Sequence, residues 1–154
     1  MKIILWNCRG ALNPHFHVTL KNLIHTHYPS IVIITETRMG RERDKDITNK
    51  LPFDGAIHAD IIGYFGGIWV MWNLDVVEVT QLAKTKQEIH VMVKVRALNS
   101  SWLLSSIYAS PKLEERKLLW NNLSAVAPLH NLPCLCWVTL MCFFLVTINL
   151  EGIR

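Results

Sequence analysis

Two polar residues stand at the ends of two short apolar segments near the start of the sequence. The segment "KIILWN" ends on Asn7, and "SIVIITET" carries Glu36 next to its last residue. If these segments are neighbouring parallel strands, their carboxyl ends meet at one edge of the sheet, where open α/β sheets bind their ligands. A carboxylate beside an amide suits Mg²⁺, which uses one or two carboxylates and completes its shell with water and substrate phosphate. The alternative is that Glu36 is a solvated strand end or helix cap and that Asn7 belongs to a turn.

Tyr108 and two pairs of histidines are further candidates for functional side chains. Tyr108 ends the segment "SSIY", just before a predicted helix, where its hydroxyl either contacts a phosphate or fills the edge of the core. The histidine pairs His15/His17 and His25/His27 are each spaced two residues apart on a predicted helix. That spacing puts the members of each pair on different faces of the helix, so they make poor metal sites.

The first forty residues have the pattern of a β-α-β unit. Residues 2–7 and 30–37 are continuous apolar runs rich in β-formers, which is typical of strands covered on both faces. Between them, apolar residues at helical spacing predict a helix over residues 15–27, which Pro29 ends. A charged loop and a short surface helix are expected over residues 38–50.

The middle of the chain is predicted to be an antiparallel meander followed by a helix. Four strand-like segments are joined by short turns, over residues 66–73, 76–83, 88–97 and 101–109. In the third segment, valine and isoleucine alternate with polar residues, so one face should be partly exposed to water. Pro111 opens the helix, whose inward side is predicted to carry Leu113, Trp120 and Leu123.

Composition sets broad limits on the class of protein. The 154 residues suffice for about one domain, and 51% of them are hydrophobic while 18% are charged. A net charge of +4 permits an anionic partner such as nucleic acid without establishing one. The four cysteines do not form a disulfide framework, and no secretory signal precedes them. We therefore expect a reducing, intracellular location, nuclear or cytoplasmic, and no secretion.

Four motifs, taken in order, resemble the endonuclease/exonuclease/phosphatase superfamily, and most of all the endonuclease domain of plant LINE-type retrotransposons. They are "LWNCRG", "IVIITETR", "GGIWVMWN" and "SSIYASP" with the following "ERKLLWNNL". The resemblance covers residues 1–133. It implies a four-layered α/β sandwich of two mixed sheets with helices outside, here truncated. It also implies cleavage of phosphate esters with a divalent metal, usually Mg²⁺, and DNA as the partner.

The resemblance also assigns roles to the three candidate residues. Asn7 resembles the family's asparagine on the first strand, in the metal and phosphate pocket. Glu36 resembles its metal-binding glutamate, and Tyr108 matches the tyrosine that contacts the scissile phosphate. The family continues with a strand that ends in Gly-Asp-Phe-Asn, then another aspartate and a final Asp-His pair. None of these follows here, and the segment "WVTLM" (137–141) stands at the expected place.

The genetic code offers an explanation for residues 134–154. Trp-Val-Thr-Leu-Met can be encoded by TGG-GTG-ACT-TTA-ATG, and reading from the third nucleotide gives GGT-GAC-TTT-AAT, which encodes Gly-Asp-Phe-Asn. In the same shifted frame, "LVTINLEGI" can encode Gly-Asp-Asn-Lys-Phe-Gly-Gly-Asn, which resembles the continuation of the plant elements. We therefore predict that residues 134–154 are an apolar, frameshifted tail.

A membrane anchor is the competing interpretation of this tail. Residues 132–150 form a run of nineteen without a charge, which meets the length of a transmembrane helix, although Pro133 and three cysteines make it a mediocre span. The sequence thus predicts a truncated, inactive member of a Mg²⁺-dependent phosphodiesterase family. The alternatives are a tail-anchored membrane protein and a nucleic-acid binder without catalysis.

Overall fold

The computed structural model describes residues 1–40, 42–126, 128, 131–139 and 145–149. Within these residues the chain forms nine strands and three helices. In chain order they are β1 (Lys2–Asn7), α1 (Phe16–His27), β2 (Ile31–Thr35), α2 (Glu42–Thr48), β3 (Gly55–Ile62), β4 (Phe65–Trp72), β5 (Val77–Lys84), β6 (Glu88–Val95), β7 (Ser100–Tyr108), α3 (Leu113–Val126), β8 (Cys134–Thr139) and β9 (Leu145–Asn149).

The first sheet contains the predicted β-α-β unit. Its strand order is β3-β4-β2-β1-β9, with β1 and β2 parallel and the other neighbours antiparallel. The crossover helix α1 ends at Tyr28, which takes a left-handed φ of 48° and donates its N–H to the carbonyl oxygen of Ile24 at 2.9 Å. Such a C-cap, followed by Pro29, stops the helix where the sequence predicts its end.

The second sheet has the order β5-β6-β7-β8. The first three strands are consecutive antiparallel neighbours, whereas β8 lies parallel to β7. Each sheet therefore contains both parallel and antiparallel pairs, as expected for mixed sheets.

The layers are held together by three apolar clusters. The largest lies between the sheets, where the inner faces of both contribute buried residues such as Leu5 and Val91. A second cluster joins the outer face of the first sheet to α1 through Trp6, Phe16 and Leu20. A third joins the second sheet to α3 through Leu119. Helices on the outside of two packed sheets make the α/β sandwich that the sequence predicts.

Two sequence predictions in this region are wrong. The segment 66–73 is not the first strand of the meander, because β4 belongs to the first sheet, where it pairs with β2 and β3. On α3 the buried residue is Leu119, and Leu123 packs against the same cluster as predicted, while Leu113 and Trp120 are exposed. Alternation along the chain shows which residues share a face, but it does not show which sheet or partner covers that face.

The apolar tail forms strands where the structure describes it. Within 132–150, the described residues 132–139 and 145–149 contain β8 and β9, which pair with β7 and β1. Of the helices in the described part of the chain, none has the length and apolarity to cross a membrane. The shifted reading frame remains a prediction.

Two consecutive glycines at the start of β4 allow the chain after β2 to approach closely. Gly66 and Gly67 have φ values of 83° and 87°, and their carbonyl oxygens accept N–H bonds from Arg38 and Thr37 at 3.0 and 3.4 Å. A methyl group on Gly67 would overlap the hydroxyl oxygen of Thr37. A methyl group on Gly66 would lie 3.3 Å from the ring of Tyr108.

We expect Gly67→Ala to lower the free energy of unfolding by about 2–4 kcal/mol, because left-handed backbone strain and a steric overlap add together. Gly63→Ala is the matched control, since Gly63 has a φ of 62° but open space around it. It should lose only the backbone cost, about 1–2 kcal/mol. Urea unfolding of both variants measures the difference, and equal losses would contradict the close approach of Thr37.

Candidate active site

The parallel pairing of β1 and β2 places Asn7 at the end of the gap between the sheets. Asn7 is opposite Thr35 in the register, and Cys8 continues the pairing by donating its N–H to the Thr35 carbonyl oxygen at 3.1 Å. Because side chains alternate along a strand, Asn7 shares the inward face with Leu5. Its Oδ1 accepts the N–H of Arg9 at 3.1 Å, and the residue is fully buried.

Glu36 follows β2 directly and lies beside this position. Its backbone has a φ of 55°, which is unusual for a residue with a side chain, and the residue is only 4% exposed. Oε1 accepts a hydrogen bond from the hydroxyl of Tyr108 at 3.2 Å. Oε2 is 3.3 Å from Nη2 of Arg38. The carboxylate is thus held from both sides in a buried setting.

Tyr108, the last residue of β7, brings the second sheet into the same site. It is 1% exposed and packs in the cluster between the sheets. Burial, then the charge of Glu36 and the hydrogen bond to it, raise the pKa of Tyr108 to about 12. The hydroxyl therefore stays protonated at neutral pH and acts as a hydrogen-bond donor.

Gln87 fixes the backbone around Tyr108, and sequence reasoning missed it. Its carbonyl oxygen accepts the N–H of Tyr108 at 2.8 Å, and its Oε1 accepts the N–H of Ser110 at 3.1 Å. Its Nε2 donates to the carbonyl oxygen of Glu115 at 2.8 Å, which ties α3 to the same corner. A glutamine in a turn between two strands carries no sequence signal for such a role.

The thiol of Cys8 lies against the site but is not suited to nucleophilic chemistry. Burial above all raises its pKa to about 12, and the nearby charge of Glu36 acts in the same direction. Its Sγ donates a weak hydrogen bond to the Glu36 carbonyl oxygen, with a separation of 3.5 Å. Since the thiolate is the reactive form, Cys8 is inert at neutral pH.

An open cavity of about 420 Å³ adjoins the site. It is lined by Arg38 and Thr37 after β2 and by the loop after β1, at Arg9, Gly10, Leu12, Asn13 and Pro14. Among the described residues, the lining contains two arginines and no acidic side chain. The sequence places Arg38 in a surface charge run, so its contact with Glu36 was not predicted.

The predicted exposure of the polar face of β6 is wrong at its start. Glu88 and His90 are buried under α3, where His90 Nδ1 is 2.8 Å from Ser105 Oγ and His90 Nε2 is 3.2 Å from Glu88 Oε2. Glu88 Oε1 also accepts a hydrogen bond from Asn122 of α3 at 2.9 Å. This polar group fastens α3 to the second sheet.

The donors at the site suit a hard divalent cation with few protein ligands. Each oxygen of the Glu36 carboxylate accepts one of the hydrogen bonds given above and has capacity for more. One carboxylate and the amide oxygen of Asn7 fit Mg²⁺, which is commonly held by one or two carboxylates together with water and substrate phosphate. An all-protein cage is not present in the described part of the chain, where no cluster of three or more His, Cys, Asp or Glu side chains is placed to hold a metal.

The sequence matches the endonuclease/exonuclease/phosphatase family over residues 4–136, and the chain belongs to that family. Its members generally depend on a divalent metal. None of the curated proteins matches this sequence.

Solved structures share the fold at low sequence identity. The human Nocturnin catalytic domain with bound sulfate is 10% identical, with a TM-score of 0.62 over 87% of this chain and 61% of its own. The endonuclease domain of TRAS1, a telomere-specific non-LTR retrotransposon, is 16% identical, with a TM-score of 0.57 over 86% and 55%. TDP2 of D. rerio with a single-strand DNA product is 17% identical, with a TM-score of 0.54 over 82% and 54%. This chain thus spans little more than half the length of these proteins.

We expect Glu36→Gln to lower the pKa of Tyr108 below about 12, because it removes the negative charge, while burial keeps it above the ordinary value of 10.0. Spectrophotometric titration of tyrosinate measures the shift, and Tyr108→Phe identifies which transition belongs to this residue. An unchanged transition in Glu36→Gln would contradict the contact.

The same pKa shift predicts how stability depends on pH. A raised pKa in the folded state means that the contribution of Tyr108 is fully present below pH 10.0 and is lost as the pH rises towards about 12. Over that range, wild type should lose more stability than Tyr108→Phe in urea unfolding. Parallel curves for the two proteins would contradict the prediction.

Proposed function

We propose that this chain carries the first part of a divalent-metal-dependent phosphodiesterase of the retrotransposon DNA endonuclease type, and that the 154-residue polypeptide by itself does not cleave DNA. The observation that carries the lineage is the buried carboxylate of Glu36, which Tyr108 contacts from the opposite sheet beside Asn7. The order of the four sequence motifs and the similarity to the TRAS1 endonuclease domain support it.

The three residues have separate roles in this proposal. Glu36 and Asn7 hold the cation with their side-chain oxygens. When bound, a divalent cation polarises the phosphate and neutralises its charge. Tyr108 keeps its proton and donates a hydrogen bond, to Glu36 at 3.2 Å in this structure and to a phosphate oxygen when substrate is present. Its anchoring by Gln87 holds the donor at a fixed depth between the sheets.

The lack of cleavage follows from the groups that the polypeptide does not contain. Residues 134–154 include neither aspartate nor histidine, so the later catalytic residues that the family resemblance implies have no counterpart there. Loss of one general acid or base costs about 10²- to 10⁴-fold in rate. Several such losses together leave a cation and phosphate site without a group to manage the proton of the attacking water.

The shifted reading frame of the tail is part of this proposal. The family match ends at residue 136, and the segment 137–141, which can encode Gly-Asp-Phe-Asn in the shifted frame, begins at the next residue. The nucleotide sequence that encodes residues 130–154, with the region beyond it, tests the idea. A frame that reads Gly-Asp-Phe-Asn and then Asp-His supports a degraded retroelement, and no such frame would refute it.

A nucleic-acid binder without catalysis is the second candidate function. The specific observation in its favour is the cavity beside Glu36, whose lining, within the part of the chain that the structure describes, includes Arg9 and Arg38 and no acidic residue. Phosphate contacts by arginine make affinity strongly salt-dependent, even without cleavage. The net charge of +4 is compatible with such binding.

We expect the purified chain to nick supercoiled plasmid no faster than its Glu36→Ala variant in Mg²⁺ or Mn²⁺. The physical reason is the missing proton-transfer groups, and gel separation of supercoiled and open circular DNA is the measurement. Nicking by the wild type that Glu36→Ala abolishes would show that this polypeptide is an active nuclease. Nicking by both proteins would indicate a contaminant.

For the binding function, we expect Arg9→Gln to reduce the slope of log affinity against log salt by about 0.7–0.9 on DNA. Fluorescence anisotropy of a labelled oligonucleotide measures the slope. Arg96→Gln is the matched control, because Arg96 pairs with Glu78 at 3.0 Å at the opposite end of the second sheet. Equal slopes in all three proteins would count against DNA binding at this cavity.

A further inference from the structure

Arg38 links the buried carboxylate of Glu36 to the cavity beside it. The Glu36 side chain is 5% exposed, whereas that of Arg38 is 45% exposed, and the two are 3.3 Å apart from Oε2 to Nη2. The guanidinium therefore reaches inward from a half-exposed position. It neutralises the one carboxylate at the proposed cation site.

The backbone of Arg38 is fixed by hydrogen bonds, so only its side chain has freedom to move. The N–H of Arg38 donates to the carbonyl oxygen of Gly66 at 3.0 Å, and the preceding residue, Thr37, is bound on both sides through its N–H to Gly67 and its carbonyl oxygen to Ala11. Arg38 has a φ of 54°, close to that of Glu36. Both residues have a left-handed backbone conformation, and their side chains are in contact.

The second position available to the Arg38 side chain is the cavity of about 420 Å³ that this residue itself lines. Arg9 lies in the same lining, so the space already carries positive charge. The α-carbon of Gly10 faces the stem of Arg38, and even a methyl group there would be 3.8 Å from Arg38 Cδ. Since Gly10 has no side chain, the space that such a methyl group would fill is open to the stem, as is the cavity that Arg38 lines.

We propose that Arg38 couples the two sites: a phosphate-type oxyanion in the Arg9–Arg38 cavity draws the guanidinium from Glu36 and thereby opens the carboxylate to a divalent cation. This inference rests on the proposed function, in which Glu36 and Asn7 take that cation. Arg38 acts through Glu36 and is a positioning residue. Since linkage is reciprocal, the cation must also tighten the binding of the oxyanion by the same factor.

The sign of one mutational effect separates this coupling from a merely structural role. If Arg38 only holds Glu36 in place, its removal weakens cation binding. If Arg38 competes with the cation, its removal tightens cation binding in the absence of an oxyanion and reduces the effect that the oxyanion has. Because the arginine is half-exposed and screened, the change should be modest, about three- to tenfold.

The test measures Mn²⁺ affinity of the full 154-residue chain by electron paramagnetic resonance of free Mn²⁺, with and without sulfate as the oxyanion probe. For wild type, we expect sulfate to tighten Mn²⁺ binding about three- to tenfold. Arg38→Gln should bind Mn²⁺ about three- to tenfold more tightly without sulfate and respond to sulfate by less than about twofold. Arg38→Lys, which keeps the charge, should remain within about threefold of wild type without sulfate.

Two further variants distinguish failure of the coupling from failure of the proposed cation site. Arg96→Gln removes the same charge from another arginine–glutamate pair and should behave as wild type in both conditions. Glu36→Gln should lose the Mn²⁺ site. If Glu36→Gln binds Mn²⁺ as well as wild type does, the proposed cation site is wrong and the coupling fails with it. If Glu36→Gln loses binding but Arg38→Gln binds Mn²⁺ equally or more weakly than wild type, the cation site stands and the coupling alone is refuted.

Discussion

The parallel pairing of β1 with β2 determines where Asn7 and Glu36 stand. Both strands are buried on both faces, because one face packs on the second sheet and the other on α1. A register that sets Asn7 opposite Thr35 brings the amide of Asn7 and the carboxylate of Glu36 to one edge of the gap between the sheets. A slip of one residue would turn each side chain to the opposite face, so the same packing that stabilises the sandwich also fixes the site.

The strands of this unit were predictable because their physics is local. A continuous run of isoleucine, leucine and valine is sufficient to indicate a strand covered on both faces, and helical spacing with a following proline locates the crossover. β3 was missed, because it begins at a glycine and is mostly half-exposed, which leaves little apolar pattern. The assignment of β4 failed for a different reason. Its partners, β2 and β3, are chosen by packing between distant parts of the chain, and no periodicity within the segment records that choice.

The candidate site likewise has a part that could be predicted from the sequence and a part that could not. Asn7 and Glu36 stand at the ends of recognisable strands, so a sheet-edge argument brings them together from sequence. That Tyr108 contacts Glu36 depends on how two sheets stack, with 72 residues between the partners. Arg38 looks like one more solvated charge, and its contact with Glu36 depends on the fold of the chain after β2, where both residues adopt left-handed backbone. The burial of His90 beneath α3 likewise depends on which face of the helix packs against the second sheet.

The balance of charge around Glu36 explains why the site forms a defined arrangement. A buried carboxylate is costly unless it is paired and hydrogen-bonded, and in this chain the pairing comes from Tyr108 on one oxygen and Arg38 on the other. The stacking of the two sheets holds the hydroxyl of Tyr108 in place. The guanidinium of Arg38 is half-exposed, so it contacts solvent as well as the buried carboxylate. The Glu36 carboxylate is therefore satisfied by a buried hydroxyl on one oxygen and by a half-exposed guanidinium on the other, so of these two partners Arg38 is the one that water and dissolved ions can reach.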